Sequence, residues 1–411
     1  MYQKRGKGNG GMKESGKEKP VGLDYYKASL VIHEENHGKW AMVSKVPLET
    51  KEDLSIAYTP GVAQPCLEIK GDPEQVYRYT AKQNTVAVVS DGSAVLGLGN
   101  IGGKAAIPVM EGKAILFKGF GDIDAVPICL ETQDTEEILM ILKNIAPTFG
   151  GINLEDISAP RCFEIETRLQ EMLDIPVFHD DQHGTAIVTA AALINGAKLV
   201  GKRLEELKVV INGAGAAGVA VATMLHNLGV QDILVCDRQG ILSKNRDLPP
   251  GKREVAQWTN RSGITGTLQE AVRGRDVFIG VSGPKVIGEE EVRSMAKDPI
   301  IFAMSNPEPE IAPELAYAGG AKVVGTGRSD YPNQINNVLV FPGLFRGALD
   351  GRAKRITREM KLAAAFALAS YIPEAELRLD YVLPSPLDRQ VAHVIAIAVK
   401  KAWEEKGTKD E

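Results

Sequence analysis

The sequence predicts an α/β fold built twice over and finished with helices, and three observations carry that reading. Short β-branched and apolar runs alternate with helical patterns from Thr85 to Gly325, the alternation that parallel sheets with crossover helices require. Near the middle, the strand-like run Leu207 to Ile211 enters Gly213-Ala214-Gly215-Ala216-Ala217-Gly218 and then a helical run, the order in which a backbone wraps a dinucleotide. Beyond Gly343 the alternation stops, and Ile356 to Ser370 and Val391 to Lys401 read as helices. The expected organisation is a disordered tail over 1–20, an N-terminal α/β domain over 21–184, a Rossmann-like doubly wound domain over 185–345 and a helical segment over 346–411.

Composition bounds the function. A length of 411 residues with 44% hydrophobic and 25% charged content suits two or three globular domains. The net charge of -5 argues against nucleic acid as a partner. The four cysteines stand isolated, without a paired motif or a disulfide framework, so a reducing cytoplasm is the expected home. The run over 1–20 lacks the apolar segment of a secretory signal. The best membrane candidate, Val391 to Val399, is short and broken by His393, so no membrane association is expected.

Taken in order, Leu23 to Ile32 has helical spacing and is stopped at His37-Gly38, giving a helix suited to packing or to a dimer surface. Tyr58 stands beside the Pro60-Gly61 turn, either as packing or as a proton donor. The strand Thr85 to Ser90 runs into the Gly-rich loop 91–99, which could hold a ligand or could equally be a tight structural crossing. Pro108 to Phe117 places Lys113 in apolar surroundings. Burial there lowers a lysine towards the range of a general base, the alternative being a side chain that snorkels to solvent.

A strand over Asp124 to Leu130 and a capped helix over Thr135 to Ile145 follow. Asn153-Leu154-Glu155-Asp156 comes next, then a helix over Ala159 to Leu173 and a strand over Ile175 to Phe178 that ends in His179-Asp180-Asp181. Both acidic pairs thus fall at the ends of predicted strands, the edge at which open α/β sheets bind ligands. Carboxylates desolvated together repel, so either their pKa values rise or a cation sits among them. His179 and His183 stand four apart, as in zinc proteases, but Asp180 occupies the place of the required glutamate, and Pro176 and Gly184 bracket the motif. The oxygen donors Glu155, Asp156 and Asp181 instead suit Mg²⁺ or Mn²⁺.

In the second half, Thr185 opens a helix that reaches Leu199. Gly213 permits the tight turn, Gly215 lets backbone approach a pyrophosphate, and Gly218 lets helix pack on sheet, while the amides of Ala216 and Ala217 begin the helix that faces the phosphates. The strand Ile233 to Cys236 ends in an acid, Asp237, about 20 residues beyond the last glycine. That acid favours NAD through the ribose 2′-OH, whereas the adjacent Arg238 could cradle the 2′-phosphate of NADP. Apolar strands over Asp276 to Gly280, Pro299 to Ala303 and Ala321 to Gly325 follow, and two of them lead into Asn306 and into Arg328, Asn336 and Asn337. Asparagines there suit a small polar ligand, although turns use them freely.

With these residues gathered, the chain resembles the malic enzyme family from about Ser44 to Arg389. The likeness lies in Ala57 to Gly61, Val89 to Gly92, Pro108 to Lys113, Asn153 to Asp156, Asp180 to Ala186, Ser305 to Pro307 and Asn336 to Gly343. The resemblance implies a small bacterial-type enzyme that converts L-malate to pyruvate and CO₂ with reduction of NAD(P), depends on a divalent metal and decarboxylates oxaloacetate. It implies Glu155, Asp156 and Asp181 as metal ligands, Lys113 as the base at the C2 hydroxyl tuned by Asp180, and Tyr58 as the acid at C3. It also implies Thr185 and Asn306 near the cofactor, Asn336 and Asn337 near the substrate, and a homodimer. Larger relatives carry an arginine where this chain has Ala94, so Arg328 is the expected replacement for holding a substrate carboxylate. A malolactic-type enzyme releasing lactate, or a silent malate sensor, are the rival readings.

Overall fold

The computed structural model describes residues 24–407 except Leu96. The tail expected over 1–20 lies outside the described residues. The chain divides into two compact units, Met1–Ala41 and Met42–Glu411. In the first, the helix Tyr25–Asn36 starts where Asp24 accepts from the amides of Tyr26 and Lys27, and it ends at His37 with a left-handed φ of 54°. None of its side chains is buried.

The second unit carries two sheets. The first contains β1 (Thr85–Ser90), β2 (Asp124–Cys129), β3 (Gly151–Leu154) and β4 (Val177–His179), all parallel in the order β2-β1-β3-β4. β1 is buried on both faces, which is why it reads as an unbroken apolar run without alternation. Its core is closed by Ile138, Leu139 and Leu142 of the helix Thr135–Ile145 and by Cys162, Ile165 and Leu169 of the helix Arg161–Met172.

The second sheet contains β5 (Lys208–Asn212), β6 (Asp232–Asp237), β7 (Gly240–Ile241), β8 (Val277–Gly280), β9 (Ile300–Ala303) and β10 (Val323–Thr326). Their order is β10-β9-β8-β5-β6-β7, parallel throughout except for β7, which folds back on β6. Strand order reverses between β5 and β8, leaving a crevice at their C-terminal ends. The two-residue β7 is too short to show a period, so sequence pattern misses it.

The helix Asp180–Leu199 leaves the end of β4. It begins five residues before the expected Thr185 and passes straight through Gly184, so that glycine does not bracket the two histidines as sequence suggested. Buried on nearly every side, this helix shows no amphipathic period from which its start could be read. Asn195 within it donates to the carbonyls of Ala369 (2.9 Å) and Val382 (3.0 Å). The helices Phe341–Asp350, Arg358–Ser370 and Gln390–Gly407 complete the unit. Two of them cross so closely that a Cβ on Gly343 would stand 2.6 Å from the Ala392 carbonyl, and one on Gly347 2.5 Å from that of Ala396.

Within this unit the helices Lys51–Ala57 and Ala63–Gly71 bury no side chain. Met42, Val43, Leu54, Ile56, Tyr58 and Leu67 are exposed in one continuous stretch of chain. Among the described residues, no helix is long and apolar enough to cross a membrane.

Candidate active site

At the C-terminal ends of β3 and β4, four carboxylates gather around one lysine. Lys113, on the helix Gly102–Gly121, is only 7% exposed. Its Nζ donates to Asp180 Oδ2 at 2.7 Å and to Glu155 Oε1 at 2.8 Å. The ammonium also lies 4.3 Å from the centre of the Phe341 ring, whose π face favours a cation. Burial alone would lower this lysine, but Asp180 and Glu155 outweigh it and hold the ammonium above its ordinary range. The snorkelling alternative is therefore not what forms.

The acids show the reverse. Burial, with the charges of Asp181 and Glu155, pushes the Asp156 carboxyl up to about 9. Burial lifts Asp180 to about 7 against the pull of Lys113, and it lifts Asp181 to about 6 in the same way. Glu155 is raised too, by burial first. One ammonium does not neutralise four such groups, so their donor type and charge fit a divalent cation. Their positions are less complete. Glu155 spends Oε2 on Asn153 Nδ2 (2.9 Å) and Asp181 Oδ2 accepts from the amide of Asp156 (2.8 Å). No three His, Cys, Asp or Glu side chains form a ready ligand set among the described residues.

Local sequence explains this placement. A Cβ on Gly184 would stand 1.9 Å from Asp180 Oδ1, so only glycine lets Asp180 lie back along its own helix towards Lys113. Asp156 holds a left-handed φ of 55°, a region short polar residues tolerate, and its carbonyl accepts from Ala94 N at 2.9 Å. At Gly92 the Gly-rich loop makes a tight structural crossing. Gly92 has φ +64°, and its Cβ would stand 2.3 Å from the Gly102 carbonyl. Arg161, unnoticed in the sequence, holds this loop through Asp91 (2.8 Å) and Ser93 (2.9 Å) and also donates to Ser158 (3.2 Å).

The His183 ring and the backbone of His179 also have partners, whereas the buried His179 ring makes no hydrogen bond among the described residues. Glu166, 6% exposed, accepts from the His179 amide (3.0 Å), Gln182 Nε2 (3.2 Å) and His183 Nε2 (3.0 Å), and Lys361 Nζ stands 3.2 Å from His183 Nδ1. Burial opposes ionisation of Glu166, yet His183 and Lys361 hold its carboxyl down at about 2. This anion therefore anchors the turn that carries Asp180 and Asp181. Glu166→Ala should destabilise the protein by about 3–5 kcal/mol in urea unfolding, because it leaves the Lys361 ammonium without its counter-charge and the His183 ring and His179 amide without their acceptor, and Glu166→Gln should cost less. Equal, sub-kcal/mol losses would remove the anchoring role.

A cleft of about 1160 Å³ opens over β5, β6 and β8, lined in part by Gly213, Gly215, Asp237, Arg238, Lys252 and Ser282. Gly213 has φ +117° and its Cβ would stand 2.5 Å from the Val281 carbonyl. Ala216 and Ala217 begin the helix Ala216–Asn227 after Gly215. Asn212 Nδ2 donates to Ser282 Oγ at 2.7 Å, tying β5 to the loop after β8 across the strand-order switch.

The other expected residues are distributed unevenly. Asn337 packs over the Asp180 turn, its Cβ 3.0 Å from where a Gly184 Cβ would be. Asn336 serves as a cap, accepting from Val338 N at 2.9 Å, so for it the turn reading applies. Asn306 is half-buried, and its carbonyl lies 3.4 Å from the Cβ position of Gly97 in the Gly-rich loop. Thr185 sits half-buried in the first turns of its helix. The Arg328 fork is closed on Asp330, at 2.8 and 2.6 Å, and on the Pro307 carbonyl, so a substrate carboxylate would have to displace that pair. Tyr58 is 67% exposed, and no hydrogen bond joins it to Lys113, Asp180 or Glu155.

Residues 37–170 match the malic enzyme N-terminal domain family, and residues 182–403 match the malic enzyme NAD binding domain family. The chain is 57% identical over 383 residues to the bifunctional malic/malolactic enzyme of Bacillus subtilis, covering 92% of this chain and 93% of that one. It is 58% identical over 366 residues to the NAD-dependent malic enzyme of Geobacillus stearothermophilus, covering 89% and 76%. The crystal structure of the NAD-dependent malic enzyme of Thermotoga maritima superposes with a TM-score of 0.88 at 49% identity, covering 90% and 98%.

Proposed function

The chain belongs to the malic enzyme family, and we propose that it oxidises L-malate at C2 with NAD(P)⁺ and releases CO₂ to leave pyruvate. The observation that carries this reading is Lys113, buried between Glu155 and Asp180 beside further carboxylates. Asp180 and Glu155 hold Lys113 as an ammonium, so it can take the proton of a substrate hydroxyl only once it has given up its own, for which Asp180 at 2.7 Å is the neighbouring acceptor. Loss of the C2 hydroxyl proton lets hydride pass from C2 to the nicotinamide ring. The ketone left at C2 then accepts the electron pair of the breaking C3–C4 bond as CO₂ departs.

A divalent cation held by Glu155, Asp156 and Asp181 would supply Lewis-acid polarisation of the substrate oxygens. Asn337, packed over the Asp180 turn, is the residue proposed to hydrogen-bond the substrate, with Asn306 beside the nicotinamide. Tyr58 is proposed to protonate C3. That role requires the exposed stretch around it to be covered, and the apolar side chains from Met42 to Leu67 support a homodimer as the form in which this happens. Light scattering showing a monomer at working concentration would overturn the dimer. The cysteines, all free, support a reducing cytoplasm as its location.

The test is direct. Purified protein supplied with L-malate, Mn²⁺ or Mg²⁺ and either nucleotide is expected to form pyruvate and reduced nucleotide in equal amounts. EDTA should abolish turnover and added Mn²⁺ restore it. No turnover of malate under any combination would sink the proposal, and activity surviving EDTA would sink the metal. The name of the Bacillus subtilis relative favours one second reading, malolactic turnover, which would show as lactate without net reduced nucleotide.

A further inference from the structure

Glu310 is a buried carboxylate that stands apart from the acids around Lys113. It has no exposed surface, and it closes the segment Ser305-Asn306-Pro307-Glu308-Pro309-Glu310 beyond β9. Its Oε1 accepts from the Ser282 amide at 2.9 Å, and its Oε2 accepts from the Ser305 amide at 2.9 Å. Burial pushes this carboxyl up, and the groups that oppose burial are all backbone amides. A buried acid held by amides alone costs free energy that an apolar side chain of the same size would not. What it obtains in return is a grip on two loops at once.

The two amides belong to different walls. Ser282 follows β8, lines the nucleotide cleft and is tied to β5 through Asn212. The Glu310 carbonyl accepts from the amide of Val286 at 2.9 Å, and Val286 lines the same cleft. Ser305 follows β9 and precedes Asn306, whose carbonyl lies beside the Gly97 position of the loop after β1. One carboxylate therefore clips the wall of the cleft to the segment that reaches the loop of the first sheet. Local sequence makes room for it: a Cβ on Gly280, the last residue of β8, would stand 2.3 Å from Glu310 Cδ. A doubly wound sheet binds one mononucleotide on each side of its switch point. Asp237 at the end of β6 marks the adenosine half, so β8 and β9 border the nicotinamide half.

We propose that Glu310 is a positioning residue for hydride transfer. By holding the amides of Ser282 and Ser305 on one carboxylate, it fixes the nicotinamide half of the cleft against the Asn306 segment, and it touches neither substrate nor nucleotide. The inference deepens the oxidoreductase reading and rests on it for the cofactor. Both oxygens are needed. Glu310→Gln keeps one acceptor but turns an N–H donor towards the other amide, and Glu310→Asp keeps the charge but lacks one methylene of reach.

Calorimetric titration of the full chain with NADH and with ADP-ribose, which lacks the nicotinamide ring, isolates that half of the cleft. In the unaltered protein NADH is expected to bind the more tightly of the two. In Glu310→Gln and in Glu310→Asp the ratio of the two affinities should fall at least about tenfold while ADP-ribose binds as before, which also shows that the cleft has folded. The kcat for malate should fall about 100-fold, the effect of a reacting group misplaced by about 1 Å. A ratio untouched by either substitution, or NADH and ADP-ribose affinity lost together as a merely structural role predicts, would overturn the inference and leave the oxidoreductase reading intact. Failure of the unaltered protein to bind NADH or ADP-ribose would overturn both.

Discussion

Lys113→Ala is expected to lower kcat for malate oxidation by about 10²–10⁴-fold, the range in which a positioned general base contributes. The effect should fall on kcat more than on the KM for nucleotide, because Lys113 stands among the acids at the first sheet whereas the cleft is lined by the loops of β5, β6 and β8. A second consequence follows from burial. Asp180 has no exposed surface and Glu155 only 5%, so removing their shared ammonium leaves Asp180 with neither water nor a partner and Glu155 with only the Asn153 amide. A loss of about 3–5 kcal/mol of stability is the expected cost of breaking such a buried set. Fluorescence titration with NADH separates the two consequences. A folded variant that still binds NADH yet turns malate over at near the normal rate would remove Lys113 from the chemistry.

Gly218→Ala is expected to abolish nucleotide binding, with an affinity loss of at least about 100-fold, and to destabilise the second sheet by several kcal/mol in the manner of overpacking. The reason is a contact between two stretches of backbone: a Cβ on Gly218 would stand 1.7 Å from the Gly213 carbonyl oxygen and 3.3 Å from Val281 Cγ2. Neither Gly213 nor Gly218 carries a side chain that could turn aside, and Gly213 is held in turn against the Val281 carbonyl. Relief requires opening the loop whose amides face the phosphates. Gly215→Ala is the informative comparison, since a Cβ there meets nothing within 4 Å. It should leave the fold stable and disturb only the approach of bound nucleotide. Equal stability of Gly218→Ala and the unaltered protein would show that the loop relaxes at no cost.

The parallel strands of both sheets were legible because a parallel strand buried on both faces is an apolar, β-branched run between turns, as β1 and β8 show, whereas the two-residue antiparallel β7 was not. The acidic pairs were legible as pairs, and their strand-end position followed from the same pattern. The start of the helix Asp180–Leu199 was not, because a helix packed on all sides carries no polar face to mark it. Arg161, Glu166, Lys361, Arg246 and Lys252 were missed for a shared reason. Each is an ordinary charged residue in sequence and becomes significant only beside another element: Arg161 beside Asp91, Glu166 and Lys361 beside His183, and Lys252 and Arg246 beside Asp237.

By itself, then, the sequence determined the α/β class, the glycine turn of the nucleotide loop and the family, because these depend on local periodicity, on backbone conformations open to glycine and on motifs contiguous in the chain. Tertiary structure decided which charges meet. It placed Lys113 between Glu155 and Asp180, closed Arg328 on Asp330, left Tyr58 exposed and covered Asp237 with two cations. Electrostatic roles depend on distance and burial, and neither is a property of neighbours in sequence.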